Sequence, residues 1–233
     1  MKRQVKIACL GDSMTAFWGQ EMVELRHALS SRFPGQPFEL FNYGVSGTRA
    51  EYGIYRLTHD FPSPFGDPVQ RCLSAVSPDI VIVESFAYNH RLDGIEWVDN
   101  YKKVLHELIT TIRNTMPAQI LFLVTIPPDI DHFLDHVPTY KDVHADLRRQ
   151  WGRGSEMYLQ AAVDFAKSEN LPLINIFEQV KERVAGGTPI RWYIDQNDHI
   201  HPSRFTYERT AEEIAKAIER HQYIQPDNGS EKQ

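Results

Sequence analysis

The sequence predicts an α/β protein, a three-layer α/β/α sandwich around a five-stranded parallel sheet. Three observations carry that expectation: five short segments are apolar on both faces, helical stripes of apolar residues separate them, and no repeat, low-complexity block or internal linker interrupts the series. Strands of a parallel sheet are covered by helices on both sides and so read as unbroken apolar runs, whereas a strand with one wet face alternates.

The strands are expected at 5–10, 38–42, 80–85, 120–126 and 171–177. After the first, Trp18, Met22, Leu25, Leu29 and Phe33 recur at spacings of three or four and form one helix face, with Glu24 and Arg26 off it. The longest helix is expected over 95–116, with Val98, Tyr101, Leu105, Leu108 and Ile112 inward, Asp93 and Glu96 resembling a capping box at its start, and Pro117 closing it. A helix over 155–168, a shorter one from near Glu178 to Gly186 and Gly187, and a last one over 204–221 with Ala211, Ile214, Ala215 and Ile218 buried complete the alternation. Strands alternating with helices imply βαβ crossovers, hence the sandwich. Residues 1–221 read as one domain, and the polar tail 222–233, which holds Pro226, Asn228 and Gly229, is expected to be disordered.

A chain of 233 residues, 42% hydrophobic, is long enough to bury one sizeable core. Its 25 Lys and Arg against 31 Asp and Glu leave a net charge of -6, which offers no basic field for a nucleic-acid backbone. Cys9 and Cys72 sit among apolar neighbours and read as free thiols of a reducing compartment. The apolar run after Lys2 and Arg3 stops at Gly11 and Asp12, too short for an export signal, and no run approaches the roughly 18 residues of a membrane span. A cytoplasmic location is expected.

In open α/β sheets the binding crevice lies beyond the carboxyl ends of the strands. The residues there are chemically distinctive: Gly11-Asp12-Ser13-Met14-Thr15 after the first strand, Asn42-Tyr43-Gly44-Val45-Ser46-Gly47 after the second, Phe86-Ala87-Tyr88-Asn89-His90 after the third, and Asp198-His199-Ile200-His201-Pro202 well after the fifth. A serine hydroxyl needs a base within hydrogen-bond reach, and that base needs a third group to orient it. Histidine, with an unperturbed pKa of about 6.5, can take and return the proton. An aspartate three residues earlier in a turn can reach the other ring nitrogen. Ser13, His201 and Asp198 supply these parts, while His199 is a rival base without the three-residue spacing.

These four blocks resemble those of the SGNH or GDSL-type hydrolase superfamily, centred on a serine, a glycine, an asparagine and a histidine in that order, and the resemblance spans nearly the whole chain. It implies a flavodoxin-like sheet of order 2-1-3-4-5, Ser13 as nucleophile, and Asp198 and His201 as the rest of a triad. It also implies an oxyanion hole from the Ser13 amide, the Gly44 amide and the Asn89 side chain. The third block departs from the family's Gly-x-Asn-Asp, since Ala87-Tyr88-Asn89-His90 keeps only the asparagine. With that strand order, Gly44 and Asn89 flank Ser13 from strands roughly 4.8 Å to either side.

Asp12, Arg49 and His90 are the candidates for substrate contact. The expected function is hydrolysis of a carboxylic ester with a short acyl group, on a small molecule or an O-acetylated sugar, with no cofactor and no metal. An acyltransferase using the same acyl-enzyme and a non-catalytic module that binds a carbohydrate or another small ligand are the alternatives. Segment 127–154 carries Asp129, Asp131, His132, Asp135, His136, Asp142 and His144 and reads as a polar lid beside the crevice. Asp131 with Asp135 and His132 with His136 are four apart, which on a helix puts each pair on one face, a spacing that would suit a metal.

Overall fold

The computed structural model describes residues 2–224. Strands β1 (Val5–Gly11), β2 (Phe38–Gly44), β3 (Ile80–Glu84), β4 (Gln119–Val124) and β5 (Leu173–Asn175) pair in parallel in the order β2-β1-β3-β4-β5. Successive side chains of the central strands fall on opposite faces, so each strand feeds two cores. Ala8, Leu10, Val81, Val83, Ile120, Phe122 and Val124 pack on one side under α3 (Ala50–Thr58), α5 (Val98–Thr115) and α6 (Ala145–Ser168). Ile7, Cys9, Ile80, Ile82, Leu121 and Leu123 pack on the other under α2 (Val23–Arg32), α7 (Ile176–Ala185) and α8 (Arg204–Arg220). Every residue of β3 is buried, and each such aliphatic side chain contributes about 1.5–3 kcal/mol by leaving water. The sandwich and its strand order are those expected.

Several local expectations are corrected. The stripe beginning at Trp18 is not one helix: a short α1 (Ser13–Ala16) is followed by turns, and α2 starts only after Met22 adopts a left-handed φ of 43°. The fifth strand ends at Asn175, whose side chain accepts from the Glu178 amide at 3.0 Å and caps α7. No capping box forms at α5, because the Asp93 carboxylate is taken by Arg49 Nη2 and His90 Nδ1, both at 2.9 Å, and Gly94 stands at the start of the 3-10 turn Ile95–Trp97. Helices α3 and α4 (Leu73–Val76) were not foreseen, and α6 extends ten residues earlier than expected, from Ala145 rather than 155.

Of the tail expected to be disordered, Tyr223 packs back, its hydroxyl donating to the Ile120 carbonyl at 3.2 Å. Residues 225–233 of that expectation lie outside the described residues. Cys9 and Cys72 are free thiols, and burial pushes the Cys9 thiol up to about 12. Among the described residues no helix is long and apolar enough to cross a membrane.

Candidate active site

Register places three of the four blocks side by side. Gly11 pairs with Gly44 and Leu10 with Val83, so the chain leaves β1, β2 and β3 at nearly one level. Asp12 turns the chain: it caps α1, its Oδ1 accepting the Met14 amide at 2.8 Å, and this puts Ser13 in the first turn of α1 above the sheet. Gly11 must be glycine, since a Cβ there would lie 2.0 Å from Thr15 Oγ1 and 2.8 Å from Glu84 Cβ.

The fourth block arrives from across the chain. Asp198 Oδ1 accepts the amides of Ile200 and His201 at 2.9 and 3.0 Å, which curls the loop back on itself. His199 takes up the bend with a φ of 55°. The same curl brings His201 Nδ1 to 2.6 Å from Asp198 Oδ2. Burial alone would raise the Asp198 carboxyl, but the bonds from the His201 ring and from the two amides outweigh it and hold the group below the ordinary carboxylate range.

Two contacts dock this loop and α8 onto α1. Phe17, one turn after Ser13, stacks on the His201 ring at 3.6 Å and 13°, and the Tyr207 hydroxyl donates to the Met14 carbonyl at 3.2 Å. His201 Nε2 is buried and has no hydrogen-bond partner among the described residues. The ring is thus fixed through Nδ1 and through its face, with its second nitrogen open to one further bond.

Asn89 stands in the 3-10 turn Ala87–His90 just after β3, entered through Phe86 at a φ of 60°. Its Nδ2 donates to Asp12 Oδ2 at 2.5 Å, which leaves the second amide hydrogen unspent. The altered third block therefore still presents an oriented amide.

Other expected site residues lie differently. Gly44 reaches the crevice, but its amide already donates to Asn42 Oδ1 at 2.8 Å, and its Cα presses on α1, where a Cβ would meet Ala16 N at 2.2 Å. Gly47, three residues on, has a φ of 73°, open space where a Cβ would sit and no hydrogen-bond partner for its amide among the described residues. Asp12 is fully buried and bound internally, so it faces no substrate. His90 is 4% exposed, stacked on Tyr158 and bonded to Asp93, and Arg49 Nη2 is tied to the same Asp93 carboxylate. Together they clamp the second and third blocks to each other, with the half-exposed Arg49 the member most open to solvent.

His199 does not pair with Asp198. Its ring packs against His136 at 4.4 Å and His132 at 5.6 Å, both from segment 127–154. That segment is not helical at 131–136, so the paired spacings do not share a face; His132 bonds Asp129 and His136 bonds the Gln196 carbonyl instead. Among the described residues no group of three or more His, Cys, Asp or Glu is arranged to hold a metal ion.

Phe17, Glu84 and Arg56 also belong to this neighbourhood and were missed. Phe17 sits at i+4 from Ser13, a spacing legible in principle. Nothing local marks Arg56, on α3, which is fully buried beneath the turn with Nη2 donating to the Gly11 carbonyl at 3.0 Å and Nη1 to that of Tyr43.

Comparison with known proteins agrees with this fold. The fold is similar to that of the lipase/acylhydrolase from Enterococcus faecalis, with a TM-score of 0.62 at 19% identity over 93% of this chain and 96% of that one. It is also similar to Axe2, an acetylxylan esterase from Geobacillus stearothermophilus, at 0.59 and 16% over 94% and 95%, and to the acetyl xylan esterase AlAXEase at 0.64 and 16% over 92% and 100%. No curated protein matches the sequence. The family model for GDSL-like lipase/acylhydrolase matches residues 7–214, and the chain belongs to that family of hydrolases.

Proposed function

We propose that the protein is a serine esterase that cleaves a short-chain carboxylic ester, of the kind carried by O-acetylated sugars, through an acyl-enzyme on Ser13. The observation that carries this reading is the His201 ring: Nδ1 is held by Asp198 at 2.6 Å, the face is held by Phe17 at the end of the serine's own helix, and Nε2 is buried without a hydrogen-bond partner among the described residues. An N–H on Nδ1 donated to the carboxylate leaves the lone pair on Nε2, the tautomer a general base needs.

Ser13 Oγ attacks the ester carbonyl carbon while Nε2 takes its proton, and the carbonyl π electrons move onto oxygen. The resulting oxyanion is met by the Ser13 amide, the free N–H of Asn89 and an amide of the second block, which we assign to Gly47 because that of Gly44 is engaged. Collapse breaks the bond to the alcohol oxygen, which leaves with the proton from Nε2. Water then attacks the acyl carbon by the same route and frees Ser13. Asp198 stays ionised throughout and stabilises the imidazolium.

Packing supports a short acyl group. Asp12, Thr15, Glu84 and Tyr88 are all buried beneath the serine turn, which favours a small acyl group over a long chain at Ser13. The acetylxylan esterases with the same fold support an acetylated sugar as the alcohol half.

Nitrophenyl acetate hydrolysis, fluorophosphonate labelling of Ser13, and a panel of acyl lengths and acetylated sugars test the proposal. Wild-type protein should release nitrophenol and be labelled, and Ser13→Ala should do neither. Equal turnover in that variant would eliminate the nucleophile; faster cleavage of long-chain than of acetyl esters would eliminate the short acyl pocket.

A further inference from the structure

Glu84 closes β3 directly under the Ser13 turn and takes no part in the chemistry above. Its carboxyl is buried against that of Asp12: the two residues are 2% and 0% exposed, and the groups lie within hydrogen-bonding reach of one another. Two ionised carboxylates cannot bond to each other, so this contact requires a proton between them. The charges around the pair decide where it sits. Asp12 Oδ1 accepts the Met14 amide and Oδ2 the Asn89 amide, and Asp12 also feels the charge of Arg56 and, when protonated, that of His201. Glu84 accepts from the Ser85 hydroxyl at 2.7 Å, the Phe86 amide at 2.9 Å and the Asp12 backbone, but the adjacent Asp12 charge opposes its ionisation.

Charge balance agrees. Arg56 is fully buried and donates to the carbonyls of Tyr43, Tyr52 and Gly11, all neutral, and it forms no ion pair among the described residues. One negative charge on the carboxyl pair neutralises it; two would leave a buried excess, which is costly.

Resting on the reading of Ser13 as nucleophile, we propose that Glu84 is a positioning residue: held as the neutral acid, it donates its O–H to Asp12 and so fixes the carboxylate oxygen that aims Asn89 at the oxyanion. Burial, together with the adjacent Asp12 charge, pushes the Glu84 carboxyl well above the usual range, in keeping with this assignment. The other titratable groups facing the pair are the phenols of Tyr88 in the turn after β3, Tyr101 on α5 and Tyr207 on α8, all held well above their ordinary value, first by burial. They are therefore neutral where the carboxyl titrates. Raising the pH removes the shared proton, sets two charges against each other and frees Asn89, so turnover should fall on an alkaline limb.

Glu84→Gln replaces the O–H by an amide N–H that still donates to Asp12, while the Ser85 hydroxyl can rotate to suit it. Glu84→Ala removes the donor. The experiment measures kcat and KM for nitrophenyl acetate across pH in wild type, both variants and Ser13→Ala, with fluorophosphonate labelling and infrared spectra of wild type and Glu84→Gln. The expected result is that Glu84→Gln keeps kcat within about threefold and loses the alkaline limb. Glu84→Ala should lose kcat by about 10- to 100-fold with KM little changed, short of the full loss of an oxyanion donor. A protonated-carboxyl band should be present in wild type at neutral pH and absent in Glu84→Gln.

The proposal is overturned if that band is missing from wild type, if the alkaline limb survives unchanged in Glu84→Gln, or if Glu84→Gln is as impaired as the alanine variant. Should Glu84→Ala fail to fold, the band and the Glu84→Gln profile decide. Undiminished turnover in Ser13→Ala would instead defeat the hydrolase reading, and the infrared band would still report on the carboxyl pair.

Discussion

Replacing Asp198 by asparagine tests the arrangement most sharply, because the side chain serves two sets of donors at once. Its Oδ1 accepts the Ile200 and His201 amides at 2.9 and 3.0 Å, and its Oδ2 accepts from His201 Nδ1 at 2.6 Å. An asparagine has one acceptor oxygen. If that oxygen keeps the two backbone amides, the NH₂ faces Nδ1, which must then accept; the ring proton moves to Nε2, and the base no longer has a lone pair for Ser13. If the amide flips to satisfy the ring, its N–H groups meet two backbone N–H donors and the loop loses its curl. The first arrangement keeps all three bonds, with the one to the ring reversed, and the second loses two, so the first should prevail. The loop should therefore survive with the wrong tautomer. The expected loss is about 10⁴-fold in kcat, equivalent to about 5.4 kcal/mol of transition-state stabilisation, with thermal stability nearly unchanged. Nitrophenyl acetate kinetics and a thermal melt of the same preparation measure both. Turnover within tenfold of wild type in a folded variant would refute the assignment of Asp198.

Phe17→Ala removes the ring stacked at 3.6 Å on His201 and should lower kcat about fivefold, the equivalent of roughly 1 kcal/mol for a ring over an imidazolium, with fluorophosphonate labelling of Ser13 slowed in step; an unchanged labelling rate would show the stack to be idle. Gly44→Ala drives a methyl against the α1 backbone, 2.2 Å from Ala16 N, and should lower the melting temperature by more than Gly47→Ala, which meets open space and bears only the strain of a positive φ; the reverse order in a thermal melt would contradict the packing. Burial, then the neighbouring His136 and His132, hold the His199 pKa below its ordinary value, so the unfolded chain binds that proton more readily. Stability from His199 is complete above the unfolded value of about 6.5 and is lost as the pH falls through and below it. Urea unfolding at about pH 7.5 and 5.5 should show a smaller acid loss in His199→Gln than in wild type, and identical losses would count against this account.

Much of the molecule was legible along the chain because its signals are local. Buried strands declare themselves as apolar runs, amphipathic helices as stripes, and the carboxyl end of each strand as the place to look for chemistry. Ser13, Asn89, Asp198 and His201 were singled out in that way as candidates, and the structure brings their segments to one rim. Asp198 and His201 are close enough in sequence for their bond to be foreseen from spacing alone.

The remainder was decided by approaches between distant segments. The second-block donor is one example: that the Gly44 amide is spent on Asn42 and its Cα pressed on α1 depends on how β2 sits beside the turn after β1, and no spacing encodes that. The capping box at 93–96 is another, since Asp93 meets Arg49 and His90 only once the second and third blocks are folded together. Asp12 and His90 looked like polar crevice residues, yet burial turned both inward. The pairing of Asp12 with Glu84, and the burial of Arg56 beneath them, join residues from β1, β3 and α3. A sequence displays the periodicity of each segment and the chemistry of each side chain, but solvation and partner are properties of the packed whole, and these determine which groups are charged, which are spent and which stay free to react.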